Sequence, residues 1–342
     1  MKRSVCLQWI FRSTMLAVAC GYWGVSKRHF CHQISIQGRR VVLATGKARE
    51  DRTEDAPFLF RGTVDIVHRG EHHVVVSKPP SVVVHHSEWT GSRSKKRTAP
   101  EFPMLQRTRE AIGERVNLVH RLDRGASGCL LFTVASSDNA DLNATATLQH
   151  AMTIANKTYV AIVRGEGIIG SRDLKQEGWF EVTRPIKDEK GVLNDATTFF
   201  RFVAGQDNDN GTLDRPRASL VLARPKSGRF HQVRKHLNGI SHPILGDSSH
   251  GNSKVNRDWR ENRGLPGERT CLHLLQLDLP PNNVCPNGIR AFSPLAVDMM
   301  QLLETHLPNV LKDAIPILKE EGLNLTSDDP DHVTKIAIEI QP

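Results

Sequence analysis

The chain has 342 residues, enough for one large domain or two ordinary ones with a sizeable core, and carries a formal charge of +9. That charge does not by itself mark a polyanion binder. Residues 1–49 hold nine Lys or Arg and no Asp or Glu, and beyond them 37 basic residues balance 37 acidic ones. The body therefore exerts no long-range pull on a nucleic acid, and any polyanion has to be held by local basic patches.

The leader has the composition of an organellar transit peptide: Arg-rich, free of acids, with Ser4, Ser13, Thr14 and Ser26. Its apolar piece, Met15 to Trp23, is too short to cross a bilayer, so no membrane association is expected. Ala17-Val18-Ala19 keeps a secretory or two-part signal open, and a cytoplasmic location is a further alternative. Ile34 to Lys47 has the look of a strand hairpin from a small RNA-binding module, but is too short to make one. The expected organisation is a targeting leader without fixed structure over 1–56, a folded body over 57–308 and an acidic extension over 309–342. Cys129, Cys271 and Cys285 lack CxxC spacing and suggest neither zinc nor disulfides; Cys129 and Cys271 sit in apolar runs, as small core residues do.

Along the body, Val64–Val67 and Val74–Val76 predict two strands around a turn, stopped by Pro79-Pro80. Residues 88–103 are polar and basic with two prolines, and predict a surface loop able to touch RNA. Leu105 to Arg115 has helical spacing. Apolar runs at Val116–Val119 and Cys129–Val134 then enclose a charged, small-residue loop, and a helix follows over Ser136–Met152, capped by Ser136 or Ser137. Strands are predicted at Thr158–Arg164, Thr197–Val203 and Ala218–Ala223, and Gly228 to Leu237 reads as a turn opening into a short basic helix. A hydrophilic stretch runs to Arg269, a strand spans Thr270–Leu279, and a helix capped by Ser293 with Pro294 first ends near His306. The Pro-interrupted tail from Leu311 is expected to be loose or to bind a partner. More strands than helices, without regular alternation, imply an α+β fold with a mixed, largely antiparallel sheet flanked by helices and loops.

Three kinds of chemistry compete for the polar residues. The histidine clusters (His72-His73, His85-His86, His231 with His236) lack HExxH spacing and cysteine neighbours, so no metal is expected. Ser127 and Cys129 sit in Gly-Ala-Ser-Gly-Cys, which is not a Gly-x-Ser-x-Gly elbow. No phosphate-cradling glycine motif is present, and no cofactor is expected. The third choice is Asp123, bracketed by Arg121 and Arg124, with Arg229, Arg234 and Lys235 available from a second cluster. Arginines beside an aspartate are commonly a solvated ion pair. Held by a bidentate arginine, though, such a carboxylate stays charged and oriented, which suits chemistry at a nucleic-acid sugar.

Five ordered blocks decide between these choices. His120-Arg121-Leu122-Asp123-Arg124-Gly125-Ala126-Ser127-Gly128 resembles the HRLDRxTSG motif of the RluA-type pseudouridine synthases, with Ala126 where threonine is usual. Ser77-Lys78-Pro79-Pro80-Ser81 with His85, Lys157 to Gly165, Gly228-Arg229-Phe230-His231-Gln232-Val233-Arg234 and Gly246-Asp247-Ser248-Ser249-His250-Gly251 resemble the family's other blocks in order, although Ser77 replaces an asparagine and Ser81 a glycine. The last block looks most like the version in bacterial tRNA-modifying members. The resemblance implies that Asp123 is the catalytic carboxylate, that Tyr159 (the body's only tyrosine) lies against the target base, and that Arg234 pairs with Asp123. It makes His120, Arg121, Arg124, Arg229, His231 and Gln232 candidate substrate-binding residues, with Arg121 able to fill the gap left by a flipped nucleotide. Lys78 is assigned to the fold or the RNA backbone. The implied protein is a monomer that needs no metal or cofactor and acts on RNA, tRNA before ribosomal RNA. Ala126 and Ser81 are the residues that favour the alternative of an inactive RNA-binding relative.

Overall fold

The computed structural model describes residues 33–36, 39–42, 60–86, 101–135, 140–188, 190–206, 216–327, 329 and 331–340. Two units are distinguished, Met1–Ala56 and Pro57–Pro342. In the first, β1 (Gln33–Ile36) and β2 (Arg39–Val42) form the antiparallel hairpin suggested by the sequence, paired from Gln33↔Val42 to Ile36↔Arg39. The remainder of the leader, most of the 88–103 loop and the Ser136 or Ser137 cap lie outside the described residues.

The second unit is built on one twisted sheet. Its strands are β3 (Phe60–Arg69), β4 (His73–Lys78), β5 (Val116–Leu118), β6 (Ser127–Val134), β7 (Asn156–Arg164), β10 (Trp179–Thr183), β13 (Thr197–Gln206), β14 (Ala218–Pro225), β15 (Leu272–Leu279), β16 (Ile289–Phe292) and β17 (Thr334–Ile340). The short pairs β8 (Ile168–Ile169) with β9 (Arg172–Asp173), and β11 (Ile186–Lys187) with β12 (Leu193–Asn194), are two-stranded ribbons outside it. The sheet order is β10-β13-β14-β7-β15-β6-β4-β3-β17, with β5 on β6 and β16 on β15. Among the described pairings only β6 with β15 is parallel, so the sheet is mixed and largely antiparallel. Among the described residues six helices flank it: α1 (Met104–Ile112), α2 (Ala140–Ile154), α3 (Gln232–Gly239), α4 (Ser253–Arg263), α5 (Val297–His306) and α6 (Pro308–Glu320). This is an α+β fold.

Burial explains the central strands. Every residue of β6 is buried, and Val74, Val75 and Val76 of β4 are fully so, as both faces of a central strand require. Two apolar clusters result, one on the β7–β13–β14 half and one on the β3–β4–β6 half, both touching Tyr159. Cys129 and Cys271 are core residues with no exposure.

The structure differs from the sequence expectation at the C-terminal end. The segment expected as a loose acidic extension over 309–342 is part of the body. Val310, Ala314 and Leu318 recur every four residues and bury one face of α6 against the sheet, with Pro308 in the first turn. Pro316 removes one helical hydrogen bond without ending the helix. Farther on, Ile336, Ile338 and Ile340 alternate with exposed Lys335, Ala337 and Glu339, and β17 pairs antiparallel with β3 from Thr334↔Ile66 to Ile340↔Phe60. The hydrophilic stretch before Arg269 likewise contains α4, capped by the Asn252 side chain on the Val255 N–H and anchored by the buried indole of Trp259. Helix α5 begins three residues later than expected, because Ser293 is buried at the end of β16 instead of capping.

Candidate active site

The motif loop runs from the end of β5 to the start of β6, and what lies beneath it is polar, buried and fully specified. Lys78 has no exposed surface and donates to the carbonyls of Pro79 and Val82 (2.8 Å each) and Arg124 (3.1 Å). Burial, with the charge of Arg269 nearby, lowers this amine to about 7. Arg269, equally buried, donates to the Gly125 carbonyl and the Ser127 hydroxyl, both at 2.9 Å, and its Nε lies 3.0 Å from Asp298. His273 Nδ1 meets the same hydroxyl at 2.8 Å. Gly128 has φ +110°, and a Cβ there would sit 2.3 Å from the Leu274 carbonyl oxygen, so only glycine allows β6 and β15 to approach this closely. Such a base holds the loop's backbone rigid while its tip faces outward.

From that tip Asp123 projects into a cleft of about 920 Å3 lined by Arg121, Tyr159, Arg229, Phe230, His231 and Arg234, among others. One carboxylate oxygen, Oδ2, accepts from Arg234 Nη1 at 2.6 Å. Arg234 is itself clamped: its Nε and Nη2 donate to the two oxygens of Asp247, each at 2.7 Å. Asp247, 1% exposed, also accepts the Ser249 and His250 N–H groups, and burial is outweighed by these bonds, which hold its carboxyl below the ordinary range. The arginine is thus fixed by a buried bidentate pair before it reaches Asp123.

The other oxygen, Oδ1, lies 3.7 Å from His231 Nε2. His231 stands at the start of α3 with φ 56°, a left-handed conformation uncommon for a non-glycine residue. Its Nδ1 is 2.9 Å from His250 Nε2, and burial lowers its pKa to about 4 although Asp123 opposes this. The ring is therefore neutral at pH 7, with one N–H. Facing a carboxylate, that hydrogen belongs on Nε2, which makes Nδ1 the acceptor and His250 the donor. Tyr159 is half-buried on the cleft wall; burial and the charge of Asp123 push its hydroxyl above the ordinary range, so it stays protonated.

Comparison with known proteins now bears directly on this geometry. A family model described as RNA pseudouridylate synthase matches residues 72–239, which contain Asp123, Tyr159 and Arg234. The tRNA pseudouridine synthase C of Vibrio cholerae serotype O1 is 35% identical over 234 residues, covering 67% of this chain and 90% of that protein. The protein of the same name from Vibrio parahaemolyticus is 33% identical over 220 residues, covering 63% and 83%. The chain belongs to the RNA pseudouridylate synthase family. It is an RNA pseudouridine synthase, an isomerase. The like-named protein of Pectobacterium carotovorum, 33% identical over 226 residues, is longer, and the alignment spans 55% of it.

Within this synthase the sequence-predicted residues divide. Asp123, Tyr159 and Arg234 converge on one cleft, and Arg121, Arg229 and His231 line it. Arg121 is exposed. His120 and Gln232 also line the cleft, Arg124 does not, and the polar groups of all three are engaged within the protein. Arg124 turns away from the cleft to pair with Glu101 at 2.6 Å. His120, lowered to about 4 by burial, lends Nε2 to the Leu131 N–H. Gln232, 4% exposed, spends its amide on Ser227, the Arg229 N–H, the Thr197 carbonyl and Thr198, which shapes the turn before α3. Asp247, His250 and Arg269 carried no predicted role. The Gly-Asp-x-x-x-Gly block marked the first two, but Arg269 had no signal, being one arginine among several in a hydrophilic stretch. Among the described residues no group of His, Cys, Asp and Glu is arranged to hold a metal.

Proposed function

We propose that this synthase converts specific uridines of RNA to pseudouridine with Asp123 as the catalytic carboxylate, and that its preferred substrate is tRNA. One observation carries the reading: Asp123 has one oxygen locked by Arg234 while the other faces the cleft beside Tyr159. A carboxylate so held can attack the nucleoside or take a sugar proton without reorganising. The N1–C1′ bond breaks, the uracil turns while stacked on Tyr159, and C5 bonds to C1′; the C5 proton leaves and N1 regains one, so the conversion balances without a redox partner. The preference for tRNA is supported by the names of the relatives and by the Gly246–Gly251 block.

Asp123→Asn is expected to abolish conversion while RNA binding and melting temperature persist, because Asn keeps the shape and Arg234 keeps Asp247. An active Asp123→Asn enzyme would sink the mechanism. Pseudouridine mapping in cells lacking the protein names the RNA and the position; loss confined to ribosomal RNA would reverse the tRNA preference. We further propose that the acid-free leader is an organellar address and that the body works as a monomer. A fluorescent fusion of residues 1–56 tests the address, and light scattering of the body tests the monomer.

A further inference from the structure

Phe230 lines this cleft, and the reaction gives it no task. It is 43% exposed, whereas the other exposed large hydrophobic side chains among the described residues (Ile154, Ile168, Val192, Leu193, Val297 and Ile315) are aliphatic. Its ring is stacked on that of His231, with centroids 3.7 Å apart and planes inclined by 21°, and Lys235 Nζ lies 5.3 Å from its centroid. His231 in turn reaches to within 3.7 Å of Asp123, so the aromatic surface stands one ring away from the reacting carboxylate. The left-handed backbone at His231 sets this pair of rings, and His250 and Gln232 hold the turn from below. Exposed Arg229 and Arg121 line the same cleft. A rigid ring with an open surface beside cations is the arrangement that takes a nucleobase: the π face binds any base, and the cations take its phosphates.

We propose that Phe230 forms a second base subsite, in which a nucleotide adjoining the target uridine stacks on Phe230 while the uridine itself enters the cleft beside Tyr159 and Asp123. The subsite rests on the synthase reading above, and it supplies part of the holding energy that keeps the target nucleotide out of its own stack. Because stacking accepts every base, it contributes affinity and register more than sequence choice.

The test uses the full enzyme and an RNA carrying the mapped uridine. Phe230→Leu keeps an apolar cover over His231 but has no π face; Phe230→Tyr keeps the face. Phe230→Leu should raise KM about fivefold or more with a smaller change in kcat, and Phe230→Tyr should stay near wild type. Abasic substitutions are then walked along the nucleotides flanking the uridine. At one of them the wild-type enzyme should lose about as much as Phe230→Leu does, and Phe230→Leu should lose little more, a non-additivity that identifies the stacked base. A wild-type KM in Phe230→Leu, or additive losses at every flanking position, overturns the subsite. A wild-type enzyme that converts no uridine would instead overturn the synthase reading, independently of any Phe230 variant.

Discussion

Two arginine–carboxylate networks lie in this body, and they are built from the same groups for opposite ends. At the cleft, Arg234 is clamped by buried Asp247 and offers Nη1 to Asp123, whose side chain is 29% exposed. Where the C-terminal helix ends, Glu321 is enclosed: Trp179 Nε1 donates to it at 2.6 Å, Arg224 at 3.0 Å, and Arg201 bonds the same oxygen as Trp179. Burial alone would raise the Glu321 carboxyl, but the indole and the two guanidinium groups hold it below the ordinary range. In the second network Trp179, Arg201 and Arg224 converge on one carboxylate, with Arg201 reaching Glu320 as well, and the product is attachment of α6 to β10, β13 and β14. In the first the chain of bonds ends on an oxygen pair that is only half used. A network that stabilises closes on itself; a network that presents a reactive group stops one bond short.

The largest effect should come from breaking the clamp. Arg234→Met leaves Asp247 buried without its partner, and removing one member of a buried pair costs about 3–5 kcal/mol. Urea denaturation should show that loss, together with complete loss of conversion; full stability in Arg234→Met would mean that Asp247 is satisfied by its backbone donors alone. Glu321→Gln should behave differently. It costs about 1–3 kcal/mol by weakening hydrogen bonds to Arg201 and Arg224, yet activity per folded molecule is retained. Equal damage to activity and stability in both variants would erase the distinction between the networks.

Acid should separate them as well. The carboxyls of Asp247 and Glu321 are held low in the folded state, so their stabilising share is present above the unfolded value near ~4 and disappears as pH falls through the lower folded value. The imidazoles act at higher pH. His73, His120 and His231 are lowered to about 4 and His273 to about 3, chiefly by burial. Their unfolded value is ~6.5, so the unfolded chain binds protons first and stability falls as pH drops from ~6.5 towards 4, by up to about 1.4 kcal/mol per pH unit for each ring. Melting temperature should therefore begin to fall near pH 6.5, well before the carboxylates titrate. A flat profile from pH 7 to 5 would contradict the neutral assignment of His231 on which its Nε2–H towards Asp123 depends.

How far the sequence carried these conclusions depends on whether the signal was local. The motif loop, its flanking strands, Tyr159 and Arg234 were legible, because strand periodicity and each of the ordered blocks are patterns confined to a few neighbouring residues. The alternation Ile336, Ile338, Ile340 and the spacing Val310, Ala314, Leu318 were equally present, but acidic neighbours and Pro316 suggested a loose tail. What decides there is β3, which needs an edge partner and lies far away in sequence. The internal partners of Arg124 and Gln232 were illegible for a related reason. Glu101 and Thr198, which absorb them, cannot be paired with them from spacing alone. Buried Lys78 and Arg269 show the same limit, since a lone basic residue in a polar stretch is normally solvated.

The smallest expected effect concerns the one departure inside the motif. Ala126 is 1% exposed, lines the cleft beside Tyr159, and donates its N–H to the Asp123 carbonyl at 3.1 Å. That turn is made by the backbone, and the loop beneath it is fixed by Lys78, Arg269 and Thr270, so a hydroxyl at position 126 has no part in holding Asp123. Ala126→Thr adds two heavy atoms to a packed site and should cost about 1–3 kcal/mol of stability, with kcat unchanged. If kcat instead rises several-fold, the hydroxyl contributes to the chemistry and Ala126 marks a slowed member of the family. If kcat is unchanged, Asp123 owes its geometry to the Arg234–Asp247 clamp, and the network that stops one bond short is sufficient without its usual neighbour.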